Sequence, residues 1–279
     1  MKKAVQNCII AFGPKNQFEV IGNSNLKVKS LPKLAKKNFC LVKLIVTNDQ
    51  QLMAINPTTM ECLVYINRNW NFNSNFPGHI PQFVCTFTEG IMVMDFGQIL
   101  LLRNGSKEWT TMNFEGPKDG VDSGLPISKN EIVLNYDNDL QQNIEKFNID
   151  TLETEVLVKL KIPRCFLAIC LFNDKLFVTG GRSPDYSGKL KSTEIISMTD
   201  LSVEKAADLN LGRCGHGMSV VPSKRGKPKL IVFGGSSDSR VEEWCEEDRK
   251  WKFVEPTLYV DRNYISYSKP HFTQMSFAS

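Results

Sequence analysis

A short apolar segment that recurs along the chain is the feature that most limits the fold. "LFVTGG" and "LIVFGG" begin at residues 176 and 230, and four segments of similar character, "CIIAFG", "LIVTND", "IMVMDF" and "EIVLNY", begin at residues 8, 44, 91 and 131. Spacings of 36 to 54 residues lie in the range of β-propeller repeats. Each hexamer is too short and too rich in β-branched and aromatic residues for a helix, so each predicts a buried strand.

A second pattern follows most of these hexamers, in which two bulky residues stand seven positions apart across a turn sequence. Asn-Pro, Asn-Gly or Asp in the intervening residues indicates a hairpin turn. We therefore expect the paired side chains to lie opposite one another and to pack between neighbouring sheets, with Trp109, Trp244 and Trp251 as the largest packing residues. The pairs are Ile21 with Val28, Ile55 with Cys62, Leu102 with Trp109, Phe147 with Thr154, and Trp244 with Trp251.

A further short apolar strand precedes every hexamer except the first. Conversely, "RNYISYSK" (262–269) reads as such a strand but has no hexamer after it. If it completes the first repeat, the two ends of the chain share one blade and no sheet edge stays open. The sequence thus predicts an all-β propeller of six four-stranded blades, closed by a C-terminal strand that completes blade one.

This pattern predicts one domain over residues 1–269 and a tail over residues 270–279. The predicted blades cover residues 1–37 with 262–269, then 38–80, 81–122, 123–163, 164–212 and 213–261.

Composition narrows the function classes. The eight cysteines stand singly, without a CxxC motif and without histidines at zinc-ligand spacing, so we predict no metal and no cofactor. No apolar run reaches the roughly 20 residues that cross a bilayer, and we predict a cytoplasmic chain with neither membrane nor nucleic acid as a partner. The lysine-rich first 37 residues are read either as a solvated face or as a contact for an acidic partner.

Three elements of the sequence resemble the kelch-repeat propellers: Gly180-Gly181, Gly234-Gly235 and "RVEEWCEEDRKW" (240–251). The resemblance is strong over residues 164–269 and weaker, though in phase, over residues 8–163, where the double glycine is absent. It implies a kelch-type β-propeller in which Gly180, Gly181, Gly234 and Gly235 are structural. Glycine pairs let the backbone turn and approach its neighbours closely where the inner strand leaves the propeller axis.

Kelch propellers of the intracellular type bind peptides with loops on one face, and the resemblance implies the same face here. Arg164, Arg213 and Arg262 precede the first strand of three blades at spacings of 49 residues. We predict that they form a rim for an acidic or phosphorylated segment, because guanidinium groups fit carboxylates and phosphates. Arg182 and Tyr186, from a long loop, and His216 are predicted to join them. The alternatives are arginines that pair with nearby carboxylates, and a merely solvated loop.

The resemblance extends to the function expected. "MKKAVQNCII" is similar to the junction at which BTB and BACK domains meet the kelch propeller in substrate receptors of cullin-type ubiquitin ligases. The expected function is therefore protein–protein interaction, as the substrate-recognition part of such a ligase without its BTB domain. An actin-binding kelch protein is the alternative, and a metal-dependent kelch-propeller enzyme is the third. We predict no enzymatic activity, because no catalytic residues stand at diagnostic spacing.

Overall fold

The computed structural model describes residues 8–13, 17–22, 28–31, 43–49, 51–67, 69–114, 120–136, 142–183, 185, 188–221, 228–235, 240–254 and 272–273. Of β1, β2, β3 and β24, defined below, only the backbone is described. Within these ranges all regular structure is β-strand, and nothing forms a helix of the length and apolar character that a membrane span requires.

The strands form six antiparallel sheets of four strands each, numbered here in chain order. Sheet 1 consists of β24 (Phe272–Thr273), β1 (Cys8–Gly13), β2 (Gln17–Gly22) and β3 (Val28–Leu31). Sheet 2 consists of β4 (Lys43–Val46), β5 (Leu52–Asn56), β6 (Glu61–Ile66) and β7 (Asn69–Asn75). Sheet 3 consists of β8 (Phe83–Phe87), β9 (Gly90–Asp95), β10 (Gln98–Arg103) and β11 (Trp109–Asn113).

The remaining sheets have the same order. Sheet 4 consists of β12 (Val121–Pro126), β13 (Glu131–Tyr136), β14 (Asn143–Asn148) and β15 (Thr154–Lys159). Sheet 5 consists of β16 (Ala168–Phe172), β17 (Lys175–Thr179), β18 (Thr193–Ser197) and β19 (Val203–Ala206). Sheet 6 consists of β20 (Gly217–Val221), β21 (Lys229–Phe233), β22 (Val241–Cys245) and β23 (Lys250–Val254).

The sheets are arranged as a β-propeller. The first strands of successive sheets lie side by side, in the order β24, β4, β8, β12, β16 and β20, and β20 also contacts β1. Four apolar cores fill the spaces between sheets 2 and 3, 3 and 4, 4 and 5, and 5 and 6. Sheets 2 to 6 are thus five blades with described cores. Because the second strand of a blade is buried on both sides, it reads as a continuous apolar run, which explains the hexamers.

The predicted hairpin partners are found in all five cases. Each of the five pairs named above consists of residues that face each other across neighbouring antiparallel strands. Trp244 and Trp251 are both buried, and their ring centroids are 5.4 Å apart in an edge-to-face arrangement. Trp109 is half-buried against Phe76 in the core between sheets 2 and 3, with ring centroids 5.5 Å apart. The turn residues and bulky partners in the sequence therefore predicted these registers correctly.

The predicted strand order in sheet 2 was wrong by one strand. "LIVTND" was expected to be the second strand of its blade, but its apolar residues belong to β4, the first strand, and β5 is the second. All five residues of β5 are buried, so β4 and β5 both meet the criteria for a buried strand and the pattern cannot rank them. The boundary predicted between residues 122 and 123 is also wrong, since it falls inside β12.

The strand that pairs with β1 also differs from the prediction. Residues 262–269 lie outside the described residues. The partner of β1 is β24, with Ala11 opposite Phe272 and Ile10 opposite Thr273, in the segment expected to be a tail. Backbone N–H and C=O groups satisfy this pairing whatever the side chains, so the composition of the tail carried little information about it.

Candidate functional site on the loop side

Two sides of the propeller are distinguished by their connections. The loop side carries the connections from second to third strands and the crossovers between sheets; the turn side carries the other hairpin turns. The predicted site residues Arg164, Gly180, Arg213 and His216 all lie near the loop side of sheets 5 and 6, where they form hydrogen bonds to loops and crossovers there.

Arg164 lies inside the protein with no exposed surface. Its Nη2 donates to Oε1 of Glu194 at 2.6 Å, and its Nη1 donates to the carbonyl oxygens of Gly180 at 3.0 Å and Ser192 at 3.1 Å. Burial lowers the pKa of Arg164, and the Glu194 carboxylate opposes that effect. The guanidinium thus joins the end of the second strand of sheet 5 to the start of the third.

Arg213 repeats this arrangement in sheet 6 and is 2 % exposed. Its Nε donates to Oε1 of Glu242 at 3.0 Å, its Nη1 to the carbonyl of Gly234 at 2.7 Å, and its Nη2 to the carbonyl of Arg240 at 2.7 Å. Arg213 and Glu242 therefore occupy the positions that Arg164 and Glu194 occupy one blade earlier.

The two glutamates also hold the crossovers that lead into their sheets. Glu194 accepts the backbone N–H of Lys161 at 2.7 Å, and Glu242 accepts the backbone N–H of Asn210 at 2.7 Å. A buried arginine–carboxylate pair that also binds backbone groups is an orienting device for loops. The predicted outward-facing rim is therefore wrong for Arg164 and Arg213, and pairing with carboxylates, the alternative, is what the structure has.

The paired glycines lie where two blades meet. Gly180 and Gly181 have φ values of +59° and +99°. A Cβ on Gly180 would lie 2.5 Å from the carbonyl oxygen of Arg213, and one on Gly181 would lie 2.6 Å from that of Cys165. Gly234 and Gly235 have φ values of +70° and +93°. Left-handed backbone and close approach both require glycine here, in agreement with a structural role.

His216 is buried and faces the neighbouring sheet. Its Nε2 lies 2.8 Å from the hydroxyl oxygen of Thr179. Burial, and secondarily the charge of Arg213, lowers the pKa of His216 to about 3, so the imidazole is neutral at physiological pH. With 5 % of its surface exposed, it is not accessible to a partner, and the predicted partner-binding role does not agree with its position.

The other predicted binding residues divide into two groups. Arg182 is exposed on the loop side, and its contact with a partner stays a prediction. Tyr186 and Arg262 lie outside the described residues.

In sheet 3, different residues occupy the positions of the arginine and the first glycine. Its first strand begins at Phe83, which faces Met94, just as Ala168 faces Thr179 in sheet 5. By this register His79, four residues before the strand, stands where sheet 5 has Arg164, and Asp95 stands where sheet 5 has Gly180.

Asp95 binds the crossover into sheet 3 through its carboxylate. Its carboxylate accepts the backbone N–H of His79 at 2.5 Å, of Ile80 at 3.2 Å and of Phe96 at 2.7 Å, although Asp95 itself is 4 % exposed. The three residues that donate these hydrogen bonds are consequently brought together. Their side chains point outward: Ile80 is 43 % and Phe96 is 64 % exposed, and the imidazole of His79 is 82 % exposed.

Met60 lies near the start of the same crossover. Its carbonyl accepts the N–H of Phe76 at 2.9 Å in the same crossover, and Met60 is 43 % exposed. We call Ile80 and Phe96 the apolar loop patch. Sequence reasoning missed it, since single exposed apolar residues carry no periodic signal. The only hint was an aspartate within a hexamer at the place where later repeats have glycine.

Among the residues described, no three histidine, cysteine or acidic side chains come together in a way that could hold a metal ion. No protein-family model matches the chain, and no curated protein resembles it in sequence. The fold and the geometry of the loop side are therefore the basis for a functional conclusion.

Proposed function

We propose that the chain is a protein-interaction module, a six-bladed propeller of the kelch type that binds a segment of a partner protein on its loop side. The observation that carries the proposal is the apolar loop patch. Sheet 1 supports the sixth blade, since β24 contacts β4 and β1 contacts β20. The Gly-Gly, arginine and glutamate positions repeated in sheets 5 and 6 support the kelch type.

The apolar loop patch has the properties of a recognition surface. Aromatic side chains are enriched in the centres of protein interfaces, and Phe96 exposes most of its ring. The backbone beneath Ile80 and Phe96 is held by the buried Asp95 carboxylate, so these two residues would lose little conformational freedom when a partner binds. Burial of one such side chain contributes about 1.5–3 kcal/mol.

The more specific roles remain predictions. Residues 1–7 of the N-terminal segment that resembles a BTB–BACK junction lie outside the described residues, and so do Lys33, Lys36 and Lys37, on which actin binding would depend. Arg164 and Arg213 are buried, so these arginines do not support the predicted acidic ligand. A binding role without catalysis is our proposal for the chain as a whole.

The test compares two double variants of the full chain in quantitative capture from a lysate. Ile80→Ser with Phe96→Ser removes the apolar loop patch, whereas Ile66→Ser with Phe72→Ser removes side chains of the same types away from it. The match is close, because Ile66 is 44 % and Phe72 is 60 % exposed. Each captured protein would be identified and its affinity for the purified chains measured.

We expect a partner that the wild type and the control variant bind alike, and that the patch variant binds at least about tenfold more weakly, in line with the loss of one or two buried side chains. Equal affinity of all three chains for every captured partner would refute the apolar loop patch as the binding site.

A further inference from the structure

We propose that a second region of the loop side, formed by Lys159, Lys161, Arg182 and Lys191, binds an acidic segment of a partner protein. We call these four residues the basic loop surface. The proposal rests on the proposed protein-binding function and deepens it by naming the chemistry of the partner. It uses none of the buried arginines on which the acidic ligand was first predicted.

The four residues belong to adjoining parts of sheets 4 and 5. Lys159 is the last residue of β15, and Lys161 follows in the crossover to sheet 5. The backbone N–H of Lys161 bonds to Glu194 in β18, and Lys191 precedes that strand by two residues. Ser192, next to Lys191, accepts from Arg164. The buried pair of Arg164 and Glu194 thus fixes the crossover and the start of β18 relative to each other.

Arg182 is tied to the same region by backbone pairing. It forms an isolated antiparallel bridge with Cys165 and another with Lys189. The N–H of Leu190 donates to the carbonyl of Gly181 at 2.9 Å, which closes the loop at its base. Arg182 and Lys189 therefore lie opposite each other on neighbouring backbone segments.

The local charge balance is positive. All four side chains of the basic loop surface are exposed, and within the described part of the chain none of them forms an ion pair. Glu194 is engaged by Arg164 and by backbone N–H groups, and Asp208 lies 3.9 Å from Lys205. Asp185 is the single exposed carboxylate described in the loop between Arg182 and Lys191.

Charge complementarity therefore selects an anionic partner. Carboxylates suit both the guanidinium fork of Arg182 and the ammonium groups of the lysines. A protein segment is favoured over a nucleic acid, because the described residues of the basic loop surface include no exposed aromatic ring on which a base could stack.

The experiment measures binding of labelled peptides to the full chain by fluorescence anisotropy. The probes are a flexible peptide that contains a run of glutamates, the same peptide with glutamines in their place, a version with phosphoserines, and a single-stranded oligonucleotide. The test variant carries Lys159→Gln, Lys161→Gln, Arg182→Gln and Lys191→Gln. The matched control carries Lys107→Gln, Lys129→Gln, Lys175→Gln and Lys250→Gln, all on the turn side.

Both variants lose four positive charges from a net charge of +4, so net charge alone affects them equally. We expect the wild type and the control to bind the glutamate peptide with an affinity that falls as salt is raised. We expect the test variant to bind at least tenfold more weakly, and the glutamine peptide to bind none of the three chains. Tighter binding of the phosphoserine peptide would indicate that the acidic segment is a phosphorylated one.

Three results would overturn the proposal: a wild type that binds no acidic peptide at millimolar concentration, equal losses in both variants, or tighter binding of the oligonucleotide than of any peptide. These outcomes are separable from failure of the proposed function. The proposed function would stay intact, and this inference would be refuted, if a partner bound the test variant as tightly as the wild type and yet was lost when the apolar loop patch was removed.

Discussion

Sheets 5 and 6 and sheet 3 hold equivalent crossovers by different chemistry. In sheets 5 and 6, a buried arginine and a glutamate join the crossover to the third strand, with glycine at the end of the second strand. In sheet 3, Asp95 stands in that glycine's place and binds the crossover directly. The charged groups of each ion pair are buried inside the protein and are not exposed on the loop side. The single carboxylate leaves His79, Ile80 and Phe96 exposed, so sheet 3 carries the apolar loop patch that we propose as the binding site.

The largest expected effect tests the buried ion pair of sheet 5. Arg164→Met leaves the Glu194 carboxylate buried without its counter-charge, which costs about 3–5 kcal/mol. Arg164→Met combined with Glu194→Gln removes the uncompensated charge and keeps an acceptor for the N–H of Lys161, so most of the loss should be recovered. Urea denaturation measures both. If the double variant were as unstable as the single one, the charge would not be the cause.

The next effect tests the close approach of the glycines. Gly180→Ala places a methyl group 2.5 Å from the Arg213 carbonyl at a φ of +59°, and we expect a loss of about 2–4 kcal/mol from strain and overpacking together. Gly105→Ala is the control, because Gly105 also has a positive φ, +77°, but nothing within 4 Å of the added atom. Its loss should be about 1–2 kcal/mol. Equal losses in thermal or urea unfolding would mean that backbone conformation alone requires these glycines.

His216 makes the stability of sheets 5 and 6 depend on pH. Its pKa is lowered to about 3 in the folded protein, so the unfolded chain binds a proton first as the pH falls below 6.5, the ordinary value. Stability is lost through that window, by about 2 kcal/mol between pH 7.5 and pH 5. His216→Gln, which installs the residue that sheet 3 has at the equivalent Gln82, should abolish this part. Parallel pH profiles of the two chains would contradict the expectation.

The smallest expected effect concerns Asp95. Asp95→Ala removes the acceptor of three backbone N–H groups, but these lie at an exposed crossover where water can replace it, so we expect a loss of about 1–2 kcal/mol. Partner binding through the apolar loop patch should weaken as well, because Ile80 and Phe96 lose their common support. Asp95→Asn keeps one acceptor oxygen and should lie between the two. If Asp95→Ala left the affinity for the partner unchanged, binding at the apolar loop patch would not depend on the Asp95 carboxylate.

Much of the architecture was readable from local patterns. The hexamers predicted the second strand in five of the six sheets, and the bulky pairs predicted five hairpin registers, since both signals depend on residues close in sequence. The prediction of the second strand was wrong for sheet 2, because β4 and β5 are alike in composition. The predicted closing strand differs from the one found, because β24 pairs with β1 from the opposite end of the chain. The pairing uses backbone groups, which leave no pattern in the sequence.

The candidate site was less predictable for a physical reason. An arginine ahead of a first strand is compatible with an outward rim and with an inward pair, and the choice depends on a glutamate about thirty residues later in the third strand. The apolar loop patch likewise depends on three backbone N–H groups that converge on one carboxylate. By itself, the sequence determined the repeat, the strands, the turns and the need for glycine, all of which follow from short-range sterics and burial. Only the tertiary structure decided which charges are buried and which side chains are exposed on the loop side, because those outcomes depend on residues brought together from different strands and blades.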